Sequence, residues 1–373
     1  MKGEATAGLL LMAAAALALG VANSPLAETY AAFIAFPVFS QTLLHWINDG
    51  LMAVFFLLVG LEIKREVVAG ELSTRRKAAL PVLAAAGGMA GPALIYVAIN
   101  WASPAYLRGW AIPTATDIAF ALGIMALLGS RVPTSLKVFL TALAIIDDLG
   151  AIAIIAVFYT ADVSTVALSG AALCIAVLWA LNRMNVRSIS VYMLVGLVLW
   201  VTVLKSGVHP TMAGVITAMA IPANADSKGR RPLATLEHAL HPAVVYFILP
   251  LFAFANAGVS VAELTRDVLF HPITLGIVFG LFVGKQVGVL AATYFARATG
   301  WVSLPVGVSA LQYYGATLLT GVGFTMSLFI GNLAFVAAEN LAEVKIGVLA
   351  GSLVSGIVGY IILRAGTRKA GPQ

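Results

Sequence analysis

An all-α integral membrane protein is the fold class predicted for this chain, on three observations. Hydrophobic residues make up 61% of its 373 residues and charged residues only 10%, whereas a soluble domain carries roughly 25% charged residues. The apolar stretches are continuous rather than alternating, which argues for helices and against a β-barrel. Twelve such stretches can be laid out with short connections, and twelve helices of about 20 residues need about 240 residues. Intrinsic disorder is excluded by the amount of apolar side chain. The net charge of +6 does not make a nucleic-acid partner, because the charges are too few to cover a water-exposed surface.

The twelve runs fall at about 7–23, 47–68, 78–100, 111–128, 136–159, 164–181, 189–204, 208–221, 243–258, 272–296, 311–335 and 342–363. The seventh, eighth and ninth are short, as expected of helices buried in protein or kinked. The first could be a signal peptide, since Lys2 precedes it, but the charge pattern favours a retained helix. With the N-terminus placed inside, the cytoplasmic segments hold 17 of the 22 basic residues, among them Lys64, Arg65, Lys77, Arg131, Arg183, Lys228, Arg230, Arg297, Arg364, Arg368 and Lys369. The outer segments hold Arg108, Lys205, Arg266 and Lys345. The positive-inside rule then predicts twelve spans with both termini cytoplasmic. Residues 24–45 are too polar and broken to span and are expected at the outer surface as a hairpin or short interfacial helix. The longest polar loop runs from Pro222 to Pro242. The single cysteine, Cys174, lies in an apolar run and reads as a small buried side chain.

Four ionisable residues stand at the wrong depth. Asp117 is near the middle of the fourth run, Asp147 and Asp148 are at the centre of the fifth, and Lys285 is near the middle of the tenth. Each costs roughly 2.5–3.5 kcal/mol at a helix centre, so the four together cost on the order of 10 kcal/mol before pairing. Three acids against one lysine cannot all be paired off, which points to an ion or proton pathway. Adjacent helical residues point about 100° apart, so one of Asp147 and Asp148 can meet Lys285 while the other faces a cavity. Two carboxylates this close and away from water cannot both ionise easily, and they titrate as a coupled unit. Such a carboxylate can hold a proton or a hard cation but not both, and hard cations favour oxygen ligands.

The fourth run carries Pro113 just before Thr114, Thr116 and Asp117, and the eleventh carries Gly321 and Gly323. Both are expected to be interrupted at mid-membrane, which is tolerated only where backbone lines a cavity or is buried in protein. The third to fifth and the tenth to twelfth runs form triplets with the broken helix in the middle, starting on opposite sides, as in inverted-topology repeats. Gly276, Gly280, Gly284 and Gly288 recur every four residues, as do Gly347, Gly351, Ser355 and Gly359, and small residues so spaced let helices approach closely. A second charged group is expected near one face: Glu62, Lys64, Arg65 and Glu66 end the second run, Glu237, His238 and His241 precede the ninth, and His209 opens the eighth. Histidine, with an unperturbed pKa of about 6.5, is suited to a pH switch.

The residues themselves carry a resemblance. The stretches Trp46-Ile-Asn-Asp-Gly-Leu-Met-Ala-Val-Phe-Phe-Leu-Leu-Val-Gly-Leu-Glu-Ile-Lys-Arg-Glu, Thr116-Asp-Ile-Ala-Phe-Ala-Leu-Gly, Leu143-Ala-Ile-Ile-Asp-Asp-Leu-Gly-Ala, Leu204-Lys-Ser-Gly-Val-His, Leu251-Phe-Ala-Phe-Ala-Asn-Ala-Gly-Val and Gly321-Val-Gly-Phe-Thr-Met-Ser closely resemble the NhaA family of bacterial sodium/proton antiporters, in family order along nearly the whole chain. That family is itself a known instance of the inverted-repeat architecture.

The resemblance implies a fold with two discontinuous crossed helices, the fourth and eleventh spans. It implies a core bundle at about 78–159 and 272–363 and an interface bundle at about 7–68 and 164–258. Asp148 resembles the main cation-binding carboxylate, with Asp117 and Thr116 at the crossing, so that Asp148 and Asp117 would hold the transported sodium. Asp147 resembles the proton-carrying partner of Lys285. Glu62, Arg65, Glu66, His209, Glu237, His238 and His241 match the family's pH-response region. The implied activity is electrogenic export of cytoplasmic sodium or lithium against external protons, by alternating access in the bacterial inner membrane. No cofactor is implied, and the implied partners are those ions, the lipid bilayer and a second copy of the chain through the outer segment at 24–45. Gln286-Val287, after Lys285, departs from the family's usual residues without an expected change of chemistry.

Two other readings fit less well. An intramembrane aspartyl protease would carry its Pro-Ala-Leu triplet after both aspartates, whereas Pro92-Ala-Leu precedes Asp117 and Asp147 here. A cation channel would need a continuous pore, while a lysine paired with a buried carboxylate suits exchange.

Overall fold

The computed structural model describes residues 2–160, 164–225, 229, 231–335 and 338–367. Lys228, Arg230, Arg368 and Lys369 lie outside them. The described chain is helical almost throughout, and its one β ladder pairs Pro37 with Thr42 and Val38 with Gln41. Among the described residues, nine helices are long and apolar enough to cross a membrane: Ala5–Ala22, Arg75–Asn100, Tyr106–Ala126, Thr134–Phe158, Thr165–Arg183, Pro232–Asn256, Pro272–Ala298, Ala310–Ala334 and Asn340–Thr367. Ile189–Leu204 and Thr211–Ala220 are shorter apolar helices. Met52–Ala69 is apolar until Glu62, Lys64, Arg65 and Glu66 crowd its last turns. Each of the twelve apolar runs thus falls on helix.

The ninth run differs from expectation. Helix starts at Pro232, not near residue 243, and continues through Pro242 to Asn256. Pro232 is at the first helical positions, where its fixed φ suits the helix and its missing N–H costs nothing. Pro242 lies inside, and the turn after it widens to π geometry over Val244–Ile248, as a missing donor and a ring clash demand. The polar loop is correspondingly shorter, and Glu237, His238 and His241 stand on a helix. Residues 24–45 contain both a short helix, Ala27–Ile34, and a hairpin.

The described chain forms two compact units. One comprises Met1–Ala31, Thr74–Ala151 and Ala253–Gln373. Its central contact sets Arg75–Asn100 against Pro272–Ala298, with backbones nearly touching: a methyl group on Gly288 would strike the carbonyl of Gly87, and one on Gly91 would strike that of Gly284. The four-residue glycine spacing is therefore used as packing. Gly347 and Gly351 face Ile277 and Leu281 in the same way, and Gly359 faces Leu319. The first helix joins this unit through Gly8, set against the backbone of Gly123. Tyr30 is buried, which pushes its hydroxyl up to about 12; it therefore stays protonated and donates to the carbonyl of Phe254 at 2.6 Å.

The second unit comprises Ala32–Ser73 and Ile152–Phe252. Leu57, Leu61, Cys174, Leu178, Tyr192 and Leu199 are among its buried core residues, so Cys174 serves as a small apolar side chain. Gly214 lies against the backbone of Ala53 and Leu57, and Gly60 against Val215. These approaches predict that Gly288→Val and Gly87→Val each lower the thermal midpoint and the yield of monodisperse protein on size exclusion. Gly20→Ala should leave both unchanged or slightly raised, because a methyl group there would meet nothing within 4 Å outside its own helix backbone and chain neighbours and alanine favours helix by about 1 kcal/mol.

Candidate functional site

Two interruptions build the site, both in the first unit. A 3-10 helix, Tyr106–Thr114, contains Pro113 near its end; Ala115 and Asp117 are extended, and an α-helix restarts at Ile118–Ala126. The second interruption separates Ala310–Leu319 from Phe324–Ala334, with Gly321 and Gly323 between them. A methyl group on Gly321 would meet the carbonyl of Leu281, and one on Gly323 the Ser327 hydroxyl, so both positions are closed to larger residues.

Backbone groups freed by the breaks bind one another. The Asp117 amide donates to the Val322 carbonyl at 2.7 Å. The Asp117 carboxylate caps two helices at once: Oδ1 accepts from Phe120 N at 2.9 Å, and Oδ2 accepts from Thr325 N at 3.0 Å and Thr325 Oγ1 at 2.6 Å. One carboxyl group thus serves two helix N-termini, where the partial charge is positive. Ser327 donates to the Ile112 carbonyl at 2.7 Å and Ser352 accepts from Phe324 N at 3.1 Å.

Beside this crossing of contacts stand the remaining buried charges. Asp147, Asp148 and Lys285 are each at most 1% exposed. Lys285 Nζ pairs with Asp147 Oδ2, and its charge is also felt by Asp148. Lys285 follows a π-helical turn, Gly280–Gly284, a widening common at functional sites. Thr116 Oγ1 is 2.7 Å from Asp147 Oδ2 and 2.8 Å from the Thr320 carbonyl. A threonine hydroxyl has one proton to donate, so it serves the carboxylate or the carbonyl, not both. Asp147 Oδ1 is buried and accepts no hydrogen bond from the described residues. The structure therefore joins Thr116, Asp147 and Lys285 directly, and links Asp117 to them through the neighbouring backbone. Thr320, Thr325, Ser327 and Ser352 were not singled out from sequence. Thr325 and Ser327 follow the glycine pair as small polar residues do at helix starts, which was a usable signal; Ser352 had none.

The second charged group is only partly assembled. In the second unit, Arg65 pairs with Glu237 and, at 3.0 Å, with Glu66 Oε1, while Glu66 Oε2 accepts from Glu71 N at 2.8 Å. Glu62 lies within the field of Glu237, Arg65 and Glu66. Lys64 donates to the Met219 and Ile221 carbonyls, each at 2.6 Å, closing the end of Thr211–Ala220. His238 and His241 are exposed on their helix, with His238 Nδ1 at 2.6 Å from the Ala234 carbonyl. His209 is not part of this group, contrary to the expectation of one face. It lies 3.6 Å from Asp49, and Asp49 also pairs with His45 at 3.1 Å. Asp49 is 16 residues before Arg65, which at 1.5 Å per residue is roughly 24 Å along the helix.

Lys285 and Asp147 pair with each other where neither side chain reaches the surface. Removing one partner of a buried pair costs about 3–5 kcal/mol, while replacing both by apolar or neutral groups is nearly neutral. Lys285→Met should therefore lower the thermal midpoint in detergent, and Lys285→Met combined with Asp147→Asn should recover most of the loss. A double variant as unstable as the sum of the singles would contradict the pairing.

The helices and the buried charges define a multi-pass membrane protein with an ionisable centre at two helix breaks. Residues 1–363 match the family described as Na+/H+ antiporter 1. The chain is 57% identical to the Na(+)/H(+) antiporter NhaA of Rhodospirillum rubrum, across 99% of this chain and 96% of that one. It is 56% identical to NhaA of Caulobacter vibrioides (99% and 90%) and 51% identical to NhaA 1 of Magnetococcus marinus (100% and 98%). The chain belongs to the Na+/H+ antiporter 1 family.

Proposed function

We propose that this protein exchanges sodium, and lithium, for protons across the bacterial inner membrane. The observation that carries the reading is the buried Lys285–Asp147 pair with Asp148 beside it, at two helix breaks in a chain of this family. Asp148 takes either a cation or protons, with Asp117 and Thr116 supplying further oxygen near the crossing. Lys285 and Asp147 trade their pairing for proton binding as the cycle turns. Carrying more protons than cations makes the exchange electrogenic. Twelve spans with both termini cytoplasmic, inverted repeats and two crossed discontinuous helices provide alternating access. A core bundle at about 78–159 and 272–363 moves against an interface bundle at about 7–68 and 164–258. The Glu62, Arg65, Glu66 and Glu237 group, with His238 and His241, adjusts activity to cytoplasmic pH, and His209 contributes from its separate position.

The chain works as a homodimer through residues 24–45. Phe33, Phe36 and Phe39 are exposed there, Phe39 at 95%, and Phe39 has φ of 54°, a left-handed conformation that costs a side chain about 1–2 kcal/mol. An apolar ring held out at that cost supports a partner surface. Phe39→Asp is expected to shift the dimer to monomer in cross-linking of native membranes; an unchanged dimer fraction would count against that surface.

Inside-out vesicles with an acid interior and a pH-sensitive dye test the exchange itself. Added sodium or lithium should collapse the gradient, choline should not, and Asp148→Asn should abolish the response. Full exchange by Asp148→Asn would overturn the site assignment. Equal activity between pH 6.5 and about 8.5 would count against control by the carboxylate and histidine groups.

A further inference from the structure

We propose that Gln286 is a positioning residue that, through Tyr314, holds the Lys285 helix to the first half of the interrupted Ala310–Ala334 segment. The Tyr314 hydroxyl donates to Gln286 Oε1 at 2.7 Å, and Gln286 Nε2 donates to the Phe282 carbonyl at 2.6 Å. Phe282 lies in the π-helical turn Gly280–Gly284 that leads into Lys285. In that turn the Lys285 amide reaches back five residues to Gly280, one more than in an α-helix, and the Gln286 side chain adds a donor to the turn. One amide thus satisfies the wide turn with its nitrogen and reaches a second helix with its oxygen.

The consequence follows from the contacts on the other side. Lys285 pairs with Asp147, Asp147 Oδ2 is 2.7 Å from Thr116 Oγ1, and Thr116 Oγ1 is 2.8 Å from the Thr320 carbonyl. Tyr314 precedes Thr320 by six residues, roughly 9 Å along the helix. Gln286 and Tyr314 therefore complete a loop of close contacts that runs from Lys285 through Asp147, Thr116 and Thr320 back to Lys285, with the Thr116 proton serving one neighbour at a time. The half-helix before the break therefore cannot shift relative to Lys285 without breaking the Gln286–Tyr314 bond, whichever acceptor Thr116 serves. The methylene stem and amide give Gln286 its reach; a residue lacking a side-chain donor and acceptor could not make both bonds.

The inference rests on the proposed exchange for its functional readout, and a second readout separates the two. Gln286→Met keeps the length without the amide, and Tyr314→Phe removes only the hydroxyl. In proteoliposomes of the full chain, each is expected to change the sodium concentration for half-maximal exchange at least threefold, with the double variant no worse than the singles. Hydrogen–deuterium exchange over residues 280–290 should rise in both variants. Wild-type sodium dependence in both singles, or effects that multiply in the double variant, would overturn the clip. A fall in rate that only tracks the amount of folded protein would do the same. If the wild type shows no sodium-driven exchange but both variants raise deuterium uptake at 280–290, the clip stands and the exchange reading fails.

Discussion

Neither Lys285 nor Asp147 can be left alone where it stands, and much of the core is arranged around that constraint. A charge out of water must be paired or neutralised, so the Lys285 helix must lie where its ammonium reaches the Asp147 carboxylate. Reaching it takes close helix packing. Gly87 and Gly91 against Gly284 and Gly288 bring two backbones together along the Lys285 helix, which leaves Lys285 completely enclosed. The pair is one positive charge against two adjacent acids, Asp147 and Asp148, and that imbalance is the property from which cation binding is proposed.

The helix breaks solve a related problem. Unwound backbone away from water needs partners, and here the two breaks partner each other: Asp117 N with Val322 O, the Asp117 carboxylate with Thr325, Ser327 with Ile112. Asp117 is then easy to understand at a buried position, because its two oxygens accept from three donors at two helix N-termini. Thr116 is the element that touches both systems, since its hydroxyl is within reach of both Asp147 and the Thr320 carbonyl and its single proton serves one of them at a time. Through it, the state of the carboxylate and the hydrogen bonding of the break are connected.

Much of this was legible in the sequence because depth and residue type conflict there. An apolar run containing Asp147, Asp148 or Lys285 announces its exception, and a four-residue glycine repeat announces close packing. Pro113 and the Gly321, Gly323 pair marked where backbone would be freed. What was not legible depends on distances between elements remote in sequence. Ser352 acts as a partner only because its helix lies beside Phe324. Pro242 read as the end of a loop, whereas the helix passes through it by widening one turn. His209 and Glu237 both stand near the ends of apolar runs, and only the pairing along Trp46–Ala69 separates Asp49 at one end from Arg65 at the other.

The central claim is that cation and proton compete for the same buried carboxylates. Sodium added to purified protein in weakly buffered detergent solution at alkaline pH tests it without any membrane gradient. Competition predicts that sodium binding releases protons, read as acidification that saturates with sodium and is absent with choline. Saturable sodium binding with no proton released would contradict it.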